Sequence, residues 1–105
     1  FGVRIVKACR FLQENKKEFV LSKQVLRSGT AIGAMVKESE FAESKADFVH
    51  KLSIALKEAN ETKYWLLLLH ESEYLDDSSY ESVNEDCLNL IRLLVSIIKR
   101  MKCAA

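Results

Sequence analysis

Two histidines and a scatter of carboxylates are the side chains of this 105-residue chain best suited to chemistry, and their spacing decides what they can do. A di-metal carboxylate centre in a helical bundle needs two Glu-x-x-His pairs and two further glutamates, all facing inward. Asp47-Phe48-Val49-His50 approximates one pair, but Leu67 stands three residues before His70, so the second is missing. His50 is therefore expected at the surface or in an interface. Glu38, Glu58 and Glu61 would raise one another's pKa if they converged. Lys57 and Lys63 share the helix of Glu58 and Glu61, and Arg27 offers Glu58 a partner from another helix, so ordinary ion pairs account for these charges. Cys9, Cys87 and Cys103 form an odd set without Cys-x-x-Cys spacing, which fits reduced, mostly buried thiols rather than a disulfide frame or a zinc site. No Ser-His-Asp pattern, Gly-rich phosphate loop or dinucleotide fingerprint occurs. The expectation is a protein that is not an enzyme, with no catalytic residue, metal or cofactor and no evident small-molecule substrate.

The elements that must position these residues are helices. Composition is 49% apolar and 30% charged, with no proline and three glycines, so the punctuation of β-hairpins is absent while helical periodicity persists. The class is all-α, and residues 1–105 fit one domain with one core. Helices are predicted at about 1–14, 22–42, 45–71 and 79–102. In the first, Val3, Ile5, Val6, Cys9 and Leu12 follow a core-facing spacing; Asn15 to Glu18 make a polar turn, and Ser22 caps the second helix. Ser44-Lys45-Ala46-Asp47 and Ser78-Ser79-Tyr80-Glu81 read as capping boxes opening the third and fourth. Short polar connections favour antiparallel neighbours, giving an up-down-up-down four-helix bundle.

Inside the second helix, Arg27-Ser28-Gly29-Thr30-Ala31-Ile32-Gly33-Ala34 is a run of small residues. Gly costs a helix roughly 1 kcal/mol against Ala, so Gly29 and Gly33, four apart, are expected to admit a neighbouring helix. In an antiparallel pair joined near Glu43 they lie opposite Ala55 and Ala59, so these four residues are expected to form a close contact between helices 2 and 3.

That run, followed by Ser44-Lys45-Ala46-Asp47-Phe48-Val49-His50-Lys51-Leu52 and onward to Tyr64-Trp65-Leu66, resembles the bacterial four-helix-bundle proteins encoded in intervening sequences of 23S ribosomal RNA genes. The resemblance is strongest from Arg27 to Leu69. It implies a cytosolic bundle that assembles as a ring, a pentamer. It also implies distant kinship with the accessory protein of diversity-generating retroelements, which binds nucleic acid and a reverse transcriptase. Members often carry Asn followed by an acidic residue at the end of helix 2; here Met35 stands at the Asn position and Glu38 keeps the acid.

Two surfaces are expected to carry function. The run Tyr64 to Leu69 is apolar on every face of its helix, and large exposed apolar patches are uncommon on soluble monomers, so Tyr64, Trp65, Leu68 and Leu69 are assigned to a homo-oligomer interface. At six residues it is far short of the ~20 needed to span a bilayer. Nothing resembles a signal peptide, and the protein is expected in the cytoplasm. The chain opens on Phe1 rather than Met, so a few residues are expected to precede it.

Charge supplies the second surface. Residues 1–37 carry eight basic and two acidic side chains, residues 64–86 seven acidic and none basic, and residues 87–105 four basic and none acidic. An antiparallel bundle is expected to bring Arg4, Lys7 and Arg10 to the same end as Lys99, Arg100 and Lys102, a basic crown for RNA or a ribonucleoprotein. The alternative is a protein-binding scaffold without nucleic acid, since a net charge of +1 is not that of a dedicated nucleic-acid binder and the helix dipole itself favours acids at the start of helix 4 and bases at its end.

Overall fold

The computed structural model describes residues 1–103. Four helices follow in order: α1 (Gly2–Asn15), α2 (Leu21–Ser39), α3 (Lys45–Glu71) and α4 (Asp77–Cys103), with no strand among the described residues. They form an antiparallel bundle measuring 50 × 21 × 17 Å. The helices differ in length. α1 has 14 residues while α3 and α4 have 27 each, about 21 Å against about 40 Å at 1.5 Å per residue.

The core divides accordingly. Where all four helices run side by side, Ile5, Cys9, Leu12, Val25, Leu66, Leu69, Val83 and Cys87 pack together, closed by Leu75 from the α3–α4 connection. Beyond the reach of α1, Ile32, Leu52, Ala55, Ala59, Leu94 and Ile98 form a second cluster supplied by α2, α3 and α4 alone, and Phe1 packs against both. On α1 itself the buried face is Ile5, Cys9 and Leu12; Val3 and Val6, expected in the core, are exposed, Val3 to 71%. Burial lifts the Cys9 and Cys87 thiols to about 11, so both are unreactive near neutral pH, while Cys103 is exposed.

Helix ends explain where the predicted boundaries moved. Ser44 caps α3 by accepting from the Asp47 N–H (3.0 Å), and the short Asp47 carboxylate reaches back to the N–H of Glu43 (3.2 Å). α4 starts two residues before its predicted boundary because Asp76, not Ser78, is its cap and accepts from Ser79 N–H at 2.7 Å. α2 ends at Ser39 rather than Ala42. The N–H groups of Glu40, Phe41 and Ala42 each bond three residues back, a tighter winding that dissipates the helix.

The N-terminus of α2 is held by Glu18, placed in a polar turn by the sequence reading. Its carboxylate accepts from the backbone N–H groups of Val20 (3.1 Å), Leu21 (3.1 Å) and Ser22 (2.7 Å), and the residue is only 7% exposed. Ser22 is not the cap but lies in the first turn, donating to the Glu18 carbonyl. Burial alone would raise the Glu18 pKa; the three N–H groups outweigh it and the net shift is downward.

Gly29 and Gly33 do not face Ala55 and Ala59 as the four-residue spacing suggested. A Cβ on Gly29 would stand 2.9 Å from Cγ2 of Ile5, so Gly29 admits α1, whereas a Cβ on Gly33 meets no packing neighbour within 4 Å. The contact between α2 and α3 is made one position away. Thr62 donates to Ser28 Oγ (2.8 Å), whose proton goes to the Gln24 carbonyl (3.0 Å), and Ile32 packs in one cluster with Ala55 and Ala59.

Two outcomes follow for urea unfolding. Gly29→Leu is expected to cost about 1 to 3 kcal/mol through collision with Ile5, while Gly33→Ala stabilises by about 0.5 to 1 kcal/mol through helix propensity. Because Glu18 binds its proton less readily when folded, its contribution is present above the unfolded value of about 4.3 and is lost as pH falls through the lower folded value. Glu18→Gln should therefore lower stability at neutral pH by about 0.5 to 2 kcal/mol and flatten the decline on acidification; an unchanged acid limb would contradict the capping role.

Candidate functional site

The residues assigned to a basic crown separate into two groups. Arg4 reaches across to α4, where its guanidinium pairs with Asp86 and bonds Ser82. Lys99 lies seventeen residues beyond Ser82 along α4, about 25 Å along a helix axis. Arg4, Lys7 and Arg10 therefore do not share an end with Lys99, Arg100 and Lys102, because α1 is too short to reach it. They lie over the half of the bundle that carries the acidic α3–α4 connection. At the far end, Lys99, Arg100 and Lys102 have no ion-pair partner among the described residues, and Lys37, on the same end through α2, is paired with Glu40 at 3.8 Å.

Most other candidate charges are spoken for. Arg27 spans Glu58 (3.3 Å) and Glu61 of α3, and Lys51 holds Glu38 at 3.2 Å, so the three glutamates are shared between two cations. His70 bonds Asp77 through Nε2 at 2.7 Å and stacks on Tyr80 with centroids 4.2 Å apart; His50 is exposed. Among the described residues no group of three His, Cys, Asp or Glu side chains is placed to hold a metal ion, and no helix is long and apolar enough to cross a membrane.

The apolar run of α3 is also divided. Leu69 is fully buried in the core, which removes it from any interface; Trp65 and Leu68 are half-buried, with the Trp65 indole donating to Glu61 at 3.1 Å. Tyr64, 53% exposed, and Leu67 stand outward. With Asn60, Lys63, Tyr80, Asn84 and Leu88 they line a recess of about 290 Å³ between α3 and α4.

On the opposite side of the bundle lies a surface the sequence reading missed. Val3 and Val6 of α1 and Thr30, Gly33 and Ala34 of α2 line a shallow groove of about 400 Å³, flanked by Lys7 and Arg10. Gly33 is part of its floor. The signal in the sequence was the apolar pair Val3 and Val6, which flank the spacing of Ile5, Cys9 and Leu12 on α1.

The described residues form an all-helical antiparallel bundle with charged ends and a side groove on each of two faces. The sequence profile of the 23S rRNA-intervening sequence protein family matches residues 1–96, and the chain belongs to that family. Among curated proteins none matches it. It is similar to a solved protein of unknown function from the S23 ribosomal protein family of Bacteroides thetaiotaomicron VPI-5482, with 58% identity over 94% of this chain and 92% of that chain and a TM-score of 0.93.

Proposed function

We propose that the chain is a non-enzymatic cytoplasmic module that works as a homo-oligomer, a pentameric ring in which the α1–α2 groove of one copy receives the α3–α4 face of the next. The observation that carries this reading is a pair of different faces that each expose apolar side chains beside a recess. One presents Val3, Val6 and the bare backbone of Gly33, flanked by Lys7 and Arg10, and the other presents Tyr64 and Leu67 beside Lys63, Asn60 and Asn84. Two different faces meeting head to tail generate a ring when the rotation closes.

RNA binding is a second reading, favoured by Lys99, Arg100 and Lys102 at one end. In a ring of parallel subunits these cations gather on one rim, without Arg4, Lys7 or Arg10. A protein scaffold without nucleic acid is the alternative. Light scattering on wild type should give a multiple of 12.0 kDa, and Gly33→Trp should yield a folded monomer by filling the groove. A wild-type monomer, or an oligomer unaffected by that change, would contradict the ring. For RNA, affinity should fall with salt at a slope of about −0.7 per phosphate contact for single strands and disappear in Lys99→Glu/Arg100→Glu/Lys102→Glu; no shift at low salt favours the scaffold.

A further inference from the structure

A recess separate from the two side grooves, of about 460 Å³, lies between α1 and the segment joining α3 to α4, within the roughly 300 to 1,000 Å³ range of small-molecule sites. Two aromatic rings stand in its wall half in solvent, Phe11 at 46% and Tyr74 at 36% exposure, and neither contacts another ring among the described residues. Lys7 and Lys16 line the same recess, together with the start of α4 at Asp76 and Ser79.

We propose that this recess binds a nucleotide, its base against Phe11 and Tyr74 and its phosphate against Lys7 and Lys16. The lining selects this ligand class. A purely apolar molecule would use only the two rings, and an inorganic anion only the two exposed ammonium groups. A planar ring carrying an anionic group satisfies both, since bases stack on aromatic side chains irrespective of their identity.

The acids of the wall do not oppose this. Asp76 is committed to Ser79 N–H at 2.7 Å as the cap of α4, where the helix terminus and nearby Lys16 offset its charge. Glu73, exposed at the rim, supplies a carboxylate acceptor for a ribose hydroxyl or an exocyclic amine. Arg4 is held by Asp86 and Ser82 and is not needed for the anion. The site shares only Lys7 with the α1–α2 groove and uses none of the terminal cations, while Phe11, Lys16, Tyr74 and Ser79, the residues its test reads, line neither subunit face, so it goes beyond the reading of the preceding section and fails or stands separately from it.

The shared chemistry is that of a 5′-nucleotide, free or at the end of an RNA strand. Amide chemical shifts of the full chain titrated with adenosine 5′-monophosphate should move saturably at Phe11, Lys16, Tyr74 and Ser79. Adenosine and inorganic phosphate should each bind at least roughly tenfold more weakly. Phe11→Ala and Lys16→Ala, both at exposed positions, should each weaken binding by a similar factor with an unchanged melting temperature. A 5′-phosphorylated oligoadenylate that binds much more tightly than the mononucleotide identifies a strand end as the ligand; equal affinity identifies the free nucleotide. The proposal is overturned if millimolar nucleotide produces no saturable shift at these residues, if both variants bind as wild type does, or if the shifts are confined to Lys99, Arg100 and Lys102.

Discussion

The seat of Ile5 on the bare backbone of Gly29 governs how this bundle is put together. A glycine in mid-helix costs about 0.5 to 1 kcal/mol against alanine, and burying an isoleucine side chain returns about 1.5 to 3 kcal/mol. The exchange favours close approach of α1 and α2 at this level, and Ile5 is completely buried there. Once Ile5 is seated, the position of the 14-residue α1 along the bundle is set. Cys9 and Leu12 fall into the four-helix core, Arg4 falls opposite Asp86, and Phe1 reaches the boundary between the two clusters.

The charges follow from that placement rather than directing it. Arg4 with Asp86, Arg27 with Glu58 and Glu61, and Lys51 with Glu38 are exposed or half-exposed pairs, and such pairs contribute about 0 to 1 kcal/mol each. They are too weak to hold the fold but sufficient to favour this register of helices. Their cost to function is that the cations of α1 lie over the acidic half of the molecule instead of adding to the terminal cations of α4. The surface that results has separate faces: a basic small-residue groove, an aromatic face on the acidic half, and one lysine- and arginine-bearing end.

Much of this was legible in the residues. Ser44 and Asp47 announced the start of α3, Arg27 and Glu58 were recognisable as partners, and the absence of proline excluded β-structure. The errors have physical causes. Glu18 replaces the short side chains that usually cap helices, so its role was hidden until the turn brought its carboxylate back over three N–H groups. Lys17 and Glu73 adopt positive φ, 56° and 67°, at helix ends where glycine is the usual marker. Of the two glycines expected to admit α3, Gly29 admits α1 instead, because one step of 100° around a helix exchanges one neighbour for another, and Gly33 has no packing neighbour within 4 Å. The basic crown failed on length: a helix of 14 residues cannot share both ends with one of 27, a comparison already available from the expected boundaries.

The central claim, that α1 is placed by Ile5 entering the space left at Gly29, is tested most directly by a double-mutant cycle in urea. Gly29→Ala is measured in the wild-type chain and again in an Ile5→Ala background. If the two side chains share this space, the alanine methyl that collides with Ile5 in wild type becomes harmless or stabilising once Ile5 is shortened, giving a coupling of about 0.5 to 3 kcal/mol. Additive effects, with Gly29→Ala equally costly in both backgrounds, would contradict the account and place the control of the fold elsewhere.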